Sequence, residues 1–244
     1  MAWTSSQNLP LAMVGNTKMN MKKLHVAILA ASLATAMTAS ATMVTYNGTA
    51  PGQVIPVTIS GVGTVSGWAG VYNLTVDGVA TPSFCIDVYR DIQSGQGAGN
   101  YQYASLDTAP LAPSGPMGLA AAVNVEKLWA AYYASATSLS NPNRNYDSAV
   151  LQLAIWEEIA VGSGHTVSGS GTYQTDAQAL LLTLGSLTAQ ADLVALVEPP
   201  PGDTHTLQEF VVPVPEATTM IAGALLLLPL GASTLRILRR NRMS

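Results

Sequence analysis

Two short runs of residues carry side chains that can react with each other, a cysteine thiol and a glutamine carboxamide. The chain has a single cysteine, Cys85, within Phe84-Cys85-Ile86-Asp87. Farther along, a glutamine opens the run Gln152-Leu153-Ala154-Ile155-Trp156. A thiolate is a strong nucleophile, and it can attack a glutamine carbonyl that is held in place, polarised and kept from water. Loss of ammonia then leaves an internal thioester, which a partner's amine or hydroxyl opens to form a covalent link through Gln152.

The predicted elements place both side chains on rigid platforms. Short alternating runs from Val44 to Val79, with a hairpin-type turn at Asp77-Gly78, indicate antiparallel strands that lead into residues 84–92. Helical spacing of apolar residues predicts one helix over residues 117–136 and a second that starts after Asp147. Gln152 would then lie about one turn past the helix start, where unpaired backbone N–H groups favour a thiolate. Trp156 falls one turn farther on the same face and would shield the bond from water.

The rest of the chain completes an α+β order. A Gly/Ser-rich loop follows over residues 162–171, and the capping box Thr175-Asp176-Ala177-Gln178 predicts a third helix to about Val197. A proline run breaks that helix, and residues 204–212 are typical of a last strand. Strands, then helices, then a strand favour an antiparallel β-sandwich or barrel-like sheet with a helical subdomain.

The paired runs resemble the thioester domains of bacterial surface adhesins. Those domains carry an aromatic-Cys-aliphatic strand motif and a downstream Gln-x-Ala-Ile-Trp motif, and the likeness spans roughly residues 44–212. The matching residues are Phe84, Cys85, Ile86, Gln152, Ala154, Ile155 and Trp156, with Asp87 next to the first motif. The resemblance implies that Cys85 and Gln152 form an internal thioester. It also implies covalent capture of an amine- or hydroxyl-bearing partner once per molecule, without enzymatic turnover.

Other interpretations of the same residues stay open. An unpaired cysteine is commonly a small buried core residue, which fits a non-covalent structural protein of an exopolysaccharide matrix. An exported lone cysteine can also pair between molecules. A secreted cysteine hydrolase would need a base such as His165 or His205. Ile155 and Trp156 fit the core face of an amphipathic helix in every case.

The N-terminal segment is typical of an export signal. Lys22 and Lys23 precede an uncharged stretch over residues 24–41, which ends in Ala39-Ser40-Ala41. A basic start, an apolar stretch and a small-residue site predict a signal peptide over residues 1–41. Residues 1–18 look unlike a signal start and fit either an upstream mis-start, with Met19 or Met21 as the initiator, or a long n-region. A retained membrane anchor is the alternative.

The C-terminal segment, residues 213–244, has three ordered parts. Val214-Pro215-Glu216-Ala217 precedes an uncharged span long enough to cross a bilayer, and Arg236, Arg239, Arg240 and Arg242 follow. This order resembles the PEP-CTERM sorting signal, with Ala217 where that family usually has a second proline. The resemblance implies a Gram-negative, exopolysaccharide-producing bacterium. There an exosortase processes a precursor anchored in the inner membrane and passes the protein to the cell surface or biofilm matrix. A plain membrane anchor is the alternative.

Composition narrows the partners of the exported part, a single domain over residues 42–212. Residues 42–217 hold all 14 acidic residues but only three basic ones, Arg90, Lys127 and Arg144. Such a segment argues against nucleic-acid binding, which needs clustered Lys and Arg. The acids lack the spacing of a calcium loop, so we expect no metal and no cofactor. Because Lys127 is the single lysine of this segment, few amines are present that could react with a thioester. A generally low lysine content in an acidic exported protein explains the same observation equally well.

Overall fold

The chain folds into antiparallel strands followed by helices and two late strands. The computed structural model describes residues 41–90, 99–111, 113–199 and 207–215. The strands are β1 Thr42–Ile59, β2 Gly63–Val76, β3 Val79–Cys85, β4 Gly99–Ala104, β5 Val167–Ser168, β6 Leu193–Val197 and β7 Phe210–Pro213. The α-helices in these ranges are α1 Gly118–Thr137, α2 Arg144–Ser163 and α3 Gly171–Leu182. The predicted α+β class is confirmed.

One seven-stranded antiparallel sheet connects distant parts of the chain. Its order is β2-β3-β7-β6-β4-β1-β5, and β1 also pairs with β2 along most of its length. The late strand β7 lies beside β3, with Phe84 opposite Val211 and Cys85 opposite Phe210. The residues that enter β7 are therefore brought to the cysteine, although they follow it by more than a hundred positions.

Helix α2 forms the centre of the core. It packs against α1, α3, β1 and β2. Every residue from Ser148 to Trp156 is buried, so this stretch shows no solvent face. Strand β3 is tied to α1 through Phe84, whose ring makes an edge contact with Trp129 at a centroid distance of 5.4 Å. These contacts hold the end of β3 and the middle of α2 in a fixed relation.

The sequence prediction placed the start of α2 too late. The helix begins at Arg144, so Asp147 lies in its first turn and does not cap it. The preceding turn is closed by Asn141, whose Oδ1 accepts from the N–H of Asn143 and whose Nδ2 donates to Asp147 Oδ2. Gln152 consequently lies in the third turn, beyond the reach of unpaired N–H groups at the helix start.

The predicted third helix was also wrong at both ends. Helix α3 spans Gly171–Leu182, so Thr175 lies inside it and its hydroxyl donates to the carbonyl of Gly171. The run Leu193–Val197 is a strand, because it pairs with both β4 and β7 and is largely buried between them. Long-range pairing of this apolar run overrides the helical pattern. The first helix and the Asp77-Gly78 turn lie where they were predicted, within one residue.

Both predicted targeting segments fall largely outside the described residues. Ala41 is described from the predicted signal peptide, and Val214 and Pro215 from the predicted sorting motif. Glu216, Arg236, Arg239 and Arg240 lie outside. Within the described ranges, no helix has the length and apolar character needed to cross a membrane.

Gly70 provides a test of the close approach between β1 and β2. It has φ 140°, and a Cβ added there would lie 2.4 Å from the carbonyl oxygen of Pro51. We expect Gly70→Ala to lower the free energy of unfolding by at least about 2 kcal/mol, through backbone strain and overlap. Urea titration would measure this against Gly67→Ala, where an added Cβ meets nothing within 4 Å. Equal effects of the two substitutions would contradict the assignment.

Candidate functional site

The backbone of Cys85 has an unusual neighbour. Strand β2 pairs with β3 only as far as Tyr72 and Ser83, so it does not reach the last residue of β3. The side chain of Gln152 takes the place of the missing strand. The Cys85 N–H donates to Gln152 Oε1 at 2.9 Å, and Gln152 Nε2 donates to the Cys85 carbonyl at 2.8 Å. One carboxamide thus satisfies two buried peptide groups.

The structure brings the two predicted reacting residues together across the interface of β3 and α2. Both are buried, and the contact joins the Gln152 carboxamide to the Cys85 peptide groups. The Cys85 N–H polarises the Gln152 carbonyl, as a donor to a developing oxyanion would. The Gln152 amide nitrogen is engaged by the Cys85 carbonyl. The assignment of Gln152 to a thioester stays a prediction.

A second glutamine, Gln208, contacts the sulfur. Its Nε2 lies 2.8 Å from Cys85 Sγ, and the thiol lies 3.2 Å from the carbonyl oxygen of Asp87, to which it donates. Because Nε2 is bonded to the carbonyl carbon, that carbon lies within about 4 Å of the sulfur. Gln208 is 4% exposed and lies two residues before the start of β7. The sequence analysis missed it. The sequence feature that could have identified Gln208 is the polar pair Gln208-Glu209, which stands directly before an apolar strand.

Burial sets the protonation state of the cysteine. Loss of solvent raises the pKa of the Cys85 thiol well above its ordinary value, and the negative Asp87 raises it further. Hydrogen bonds with the Asp87 backbone and with the Trp156 and Gln208 side chains act in the opposite direction but are weaker. The thiol is therefore neutral at pH 7. The expectation of a thiolate favoured by a helix start was wrong, since Gln152 lies in the third turn of α2.

The other motif residues fill the core around this contact. Ile86 is buried, and its N–H donates to the carbonyl of Glu209 at 3.0 Å. Ala154 and Ile155 are fully buried in α2. Trp156 is 5% exposed and finds no hydrogen-bond acceptor of normal geometry for its indole N–H within the described chain. Its position beside the sulfur fits the predicted role of a cover.

Asp87 organises the loop beyond the cysteine. Its carboxylate is buried and accepts from the Ser114 hydroxyl, from the Tyr89 N–H at 3.1 Å and from Arg90 Nη1 at 2.8 Å. Burial raises the pKa of Asp87, although Ser114 and Arg90 oppose the shift. This network fixes the loop in which the Asp87 carbonyl accepts the hydrogen bond from the Cys85 thiol.

Glu209 is a second buried acid beside the site. Its Oε2 accepts from the Leu111 N–H at 2.6 Å, whereas its Oε1 is buried and has no partner among the described residues. Burial raises the pKa of Glu209 to about 7, and the nearby Asp87 adds to the rise. The Leu111 N–H and Arg90 lower it only in part. Glu209 is therefore mostly protonated in the folded protein below neutral pH.

Of the two histidines considered as a catalytic base, the structure describes His165. His165 Nε2 is 3.1 Å from the carbonyl oxygen of Pro113, and the histidine ring packs on Tyr89. It forms no hydrogen bond with Cys85, whose sulfur contacts Asp87 and Gln208. His205 lies outside the described residues. In the described ranges, no group of three or more His, Cys, Asp or Glu side chains is placed to hold a metal ion.

Comparisons of the chain with protein-family models, curated proteins and solved structures find no match.

The strand-like role of Gln152 predicts a large loss of stability when it is removed. Gln152→Ala leaves the Cys85 N–H and carbonyl buried without partners, which costs about 2–4 kcal/mol of unfolding free energy. The matched control is Gln178→Ala, at an exposed position of α3, with an expected change within about 0.5 kcal/mol. Chemical denaturation measures both. A loss of unfolding free energy for Gln152→Ala as small as that of the control would contradict this role of Gln152.

The buried Glu209 predicts a pH dependence of stability. Its pKa rises from 4.5 to about 7 on folding, so the folded protein binds a proton that the unfolded chain has released in this window. The stabilisation is complete below pH 4.5 and is lost as the pH rises through 7. Glu209→Gln stays neutral, so its unfolding free energy should fall less between these pH values. Parallel curves for wild type and variant would contradict the assignment.

Proposed function

We propose that this protein is an exported surface or matrix protein in which Cys85 forms an internal thioester with a buried glutamine and captures a partner covalently. The observation that carries the proposal is the 2.8 Å contact between Gln208 Nε2 and Cys85 Sγ. The contacts favour Gln208 as the acyl donor, because the Gln152 carboxamide is occupied by the peptide groups of Cys85. Gln152 then positions the cysteine. Its use as the acyl donor, as the sequence motif implies, is the competing assignment.

The chemistry balances without a further reagent. The Cys85 sulfur attacks the side-chain carbonyl carbon of Gln208, the carbon–nitrogen bond breaks, and the thiol proton leaves with the amide nitrogen as ammonia. A partner's amine or hydroxyl then attacks the same carbon. The carbon–sulfur bond breaks, the proton of the nucleophile returns to sulfur, and the partner is held through an amide or ester.

Water exclusion supports a thioester that persists until a partner arrives. The exposed fraction is 1% for Cys85, 4% for Gln208 and 5% for Trp156. An acyl group in such surroundings is protected from hydrolysis. The fixed positions of β3, α2 and β7 also supply the proximity that a weakly electrophilic amide requires.

The targeting assignments belong to the same proposal. A signal peptide would export the protein, and an exosortase would remove the C-terminal segment after its helix has anchored the precursor in the inner membrane. The strongly acidic segment over residues 42–217 suits a secreted, soluble product. The sheet is proposed to be barrel-like. Strand β1 pairs with β4 and also with β2, which stands at the other end of the strand order, so the pairing closes on itself.

A second candidate is a non-covalent structural protein of the matrix. Its support is the buried, protonated thiol, whose hydrogen bonds to Asp87 and Gln208 suit an unreactive core cysteine. A cysteine hydrolase has less support, because His165 is hydrogen-bonded to the Pro113 carbonyl.

Methylamine tests the thioester and identifies the acyl donor. Wild-type protein should gain one methylamide and one free thiol, and peptide mass mapping should place the amide at Gln208. Cys85→Ala and Gln208→Ala should abolish the adduct, since each removes one half of the bond. His165→Ala is the control and should keep it.

Two results would count against this account. A methylamide at Gln152 would return the acyl donor to the sequence motif. An unmodified wild type whose Cys85 titrates fully as a thiol on rapid denaturation would favour the non-covalent matrix protein.

A further inference from the structure

A cavity of about 260 Å³ lies beside the cysteine sulfur. Its lining includes Trp156 and Gln208, the two side chains that interact with Sγ, and also Tyr72, whose hydroxyl accepts from Gln208 Nε2 at 3.4 Å. A group bound in this cavity would therefore lie next to the proposed thioester. A nucleophile bound there would be placed to reach the acyl carbon of that thioester.

The walls of the cavity are rich in aromatic rings. Four aromatic residues line it: Trp68, Tyr72, Tyr89 and Trp156. Flat rings offer apolar faces, and Trp and Tyr add polar edges, so such walls suit ligands with both C–H and hydroxyl groups. The indole N–H of Trp68 is buried and has no acceptor in the described ranges, which favours a ligand that supplies oxygen atoms.

The surroundings of the cavity are electrically neutral. Residues 42–76, which form β1 and β2, contain no charged side chain, although the wider segment is strongly acidic. The charged residues of the lining are Asp87 and Arg90, which pair with each other at 2.8 Å. Recognition of a cationic partner needs unpaired acidic side chains, and recognition of an anionic partner needs unpaired basic ones. Because Asp87 and Arg90 pair with each other, the lining suits neither kind of charged partner.

We propose that the cavity binds a sugar residue of a neutral glycan and presents one of its hydroxyls to the thioester. This rests on the proposed function and names its partner class. The sugar hydroxyl oxygen attacks the acyl carbon, the carbon–sulfur bond breaks, and the hydroxyl proton passes to sulfur. The product is an ester between the glycan and the side chain of residue 208. The exposed Val62 and Val65 of the β1–β2 hairpin flank the bound sugar.

Non-covalent binding separates this inference from the thioester itself. Tryptophan fluorescence of the full-length protein would be titrated with neutral tetrasaccharides of glucose, galactose and mannose. A galacturonate oligosaccharide and a lysine-containing peptide are the charged probes. We expect saturable binding of at least one neutral sugar by wild type and Cys85→Ala alike. Binding only of the charged probes, or of none, would overturn the proposal.

Two variants place that binding in the cavity. Trp68→Ala removes an aromatic wall, and Ser66→Tyr adds a ring at an exposed lining position without disturbing the core. Each should weaken binding of the neutral sugar by at least about tenfold. Leu139→Ala is the control, because Leu139 is exposed and outside the lining, and it should bind normally. Unchanged binding by both cavity variants would also overturn the proposal.

The covalent step has its own readout. Wild type incubated with the bound sugar should gain its mass in an adduct that hydroxylamine removes, whereas Cys85→Ala should not. Sugar binding without an adduct, in a protein that reacts with methylamine, would overturn the hydroxyl transfer. Sugar binding without a methylamine reaction would overturn the thioester and leave the cavity assignment in place.

Discussion

The paired hydrogen bonds between the Gln152 carboxamide and the Cys85 peptide groups fix the geometry of this molecule. Strand β3 extends beyond the end of its neighbour β2. Without another partner, the N–H and carbonyl of Cys85 would be buried and unpaired on that side. A side chain from the third turn of α2 closes that gap. The central helix must therefore lie in one register against the sheet, and the sulfur contacts Asp87 and Gln208 instead.

The same burial raises the pKa values of three neighbouring groups. The pKa values of Cys85, Asp87 and Glu209 are all raised by loss of solvent, so the site holds a protonated thiol beside two acids. A neutral thiol is a poor free nucleophile, but it supplies the proton that a departing amide nitrogen needs. Close placement of Gln208 and exclusion of water would offset the low thiolate fraction. In the proposed function, the neighbouring cavity would give a partner access to the acyl group.

The sequence predicted some local features and the proximity of Cys85 to Gln152, although the observed contact runs through the Cys85 peptide groups and not through the sulfur. Turn chemistry gave the Asp77-Gly78 hairpin, and helical periodicity gave α1. The start of α2 was missed because Asn141, outside the helix, organises its first turn. The pairing of β6 with β4 and β7 was missed because it depends on residues remote in sequence. Gln208 was missed for the same reason, since only the pairing of β7 with β3 brings it to the sulfur.

The mass of the intact native protein tests the central claim most directly. A thioester expels ammonia, so wild type should be about 17 Da lighter than its composition requires. The Cys85→Ala variant shares the same termini and processing, and it should show no deficit after correction for the substitution. A wild-type mass that matches its composition, with the chain folded and untreated, would contradict the account.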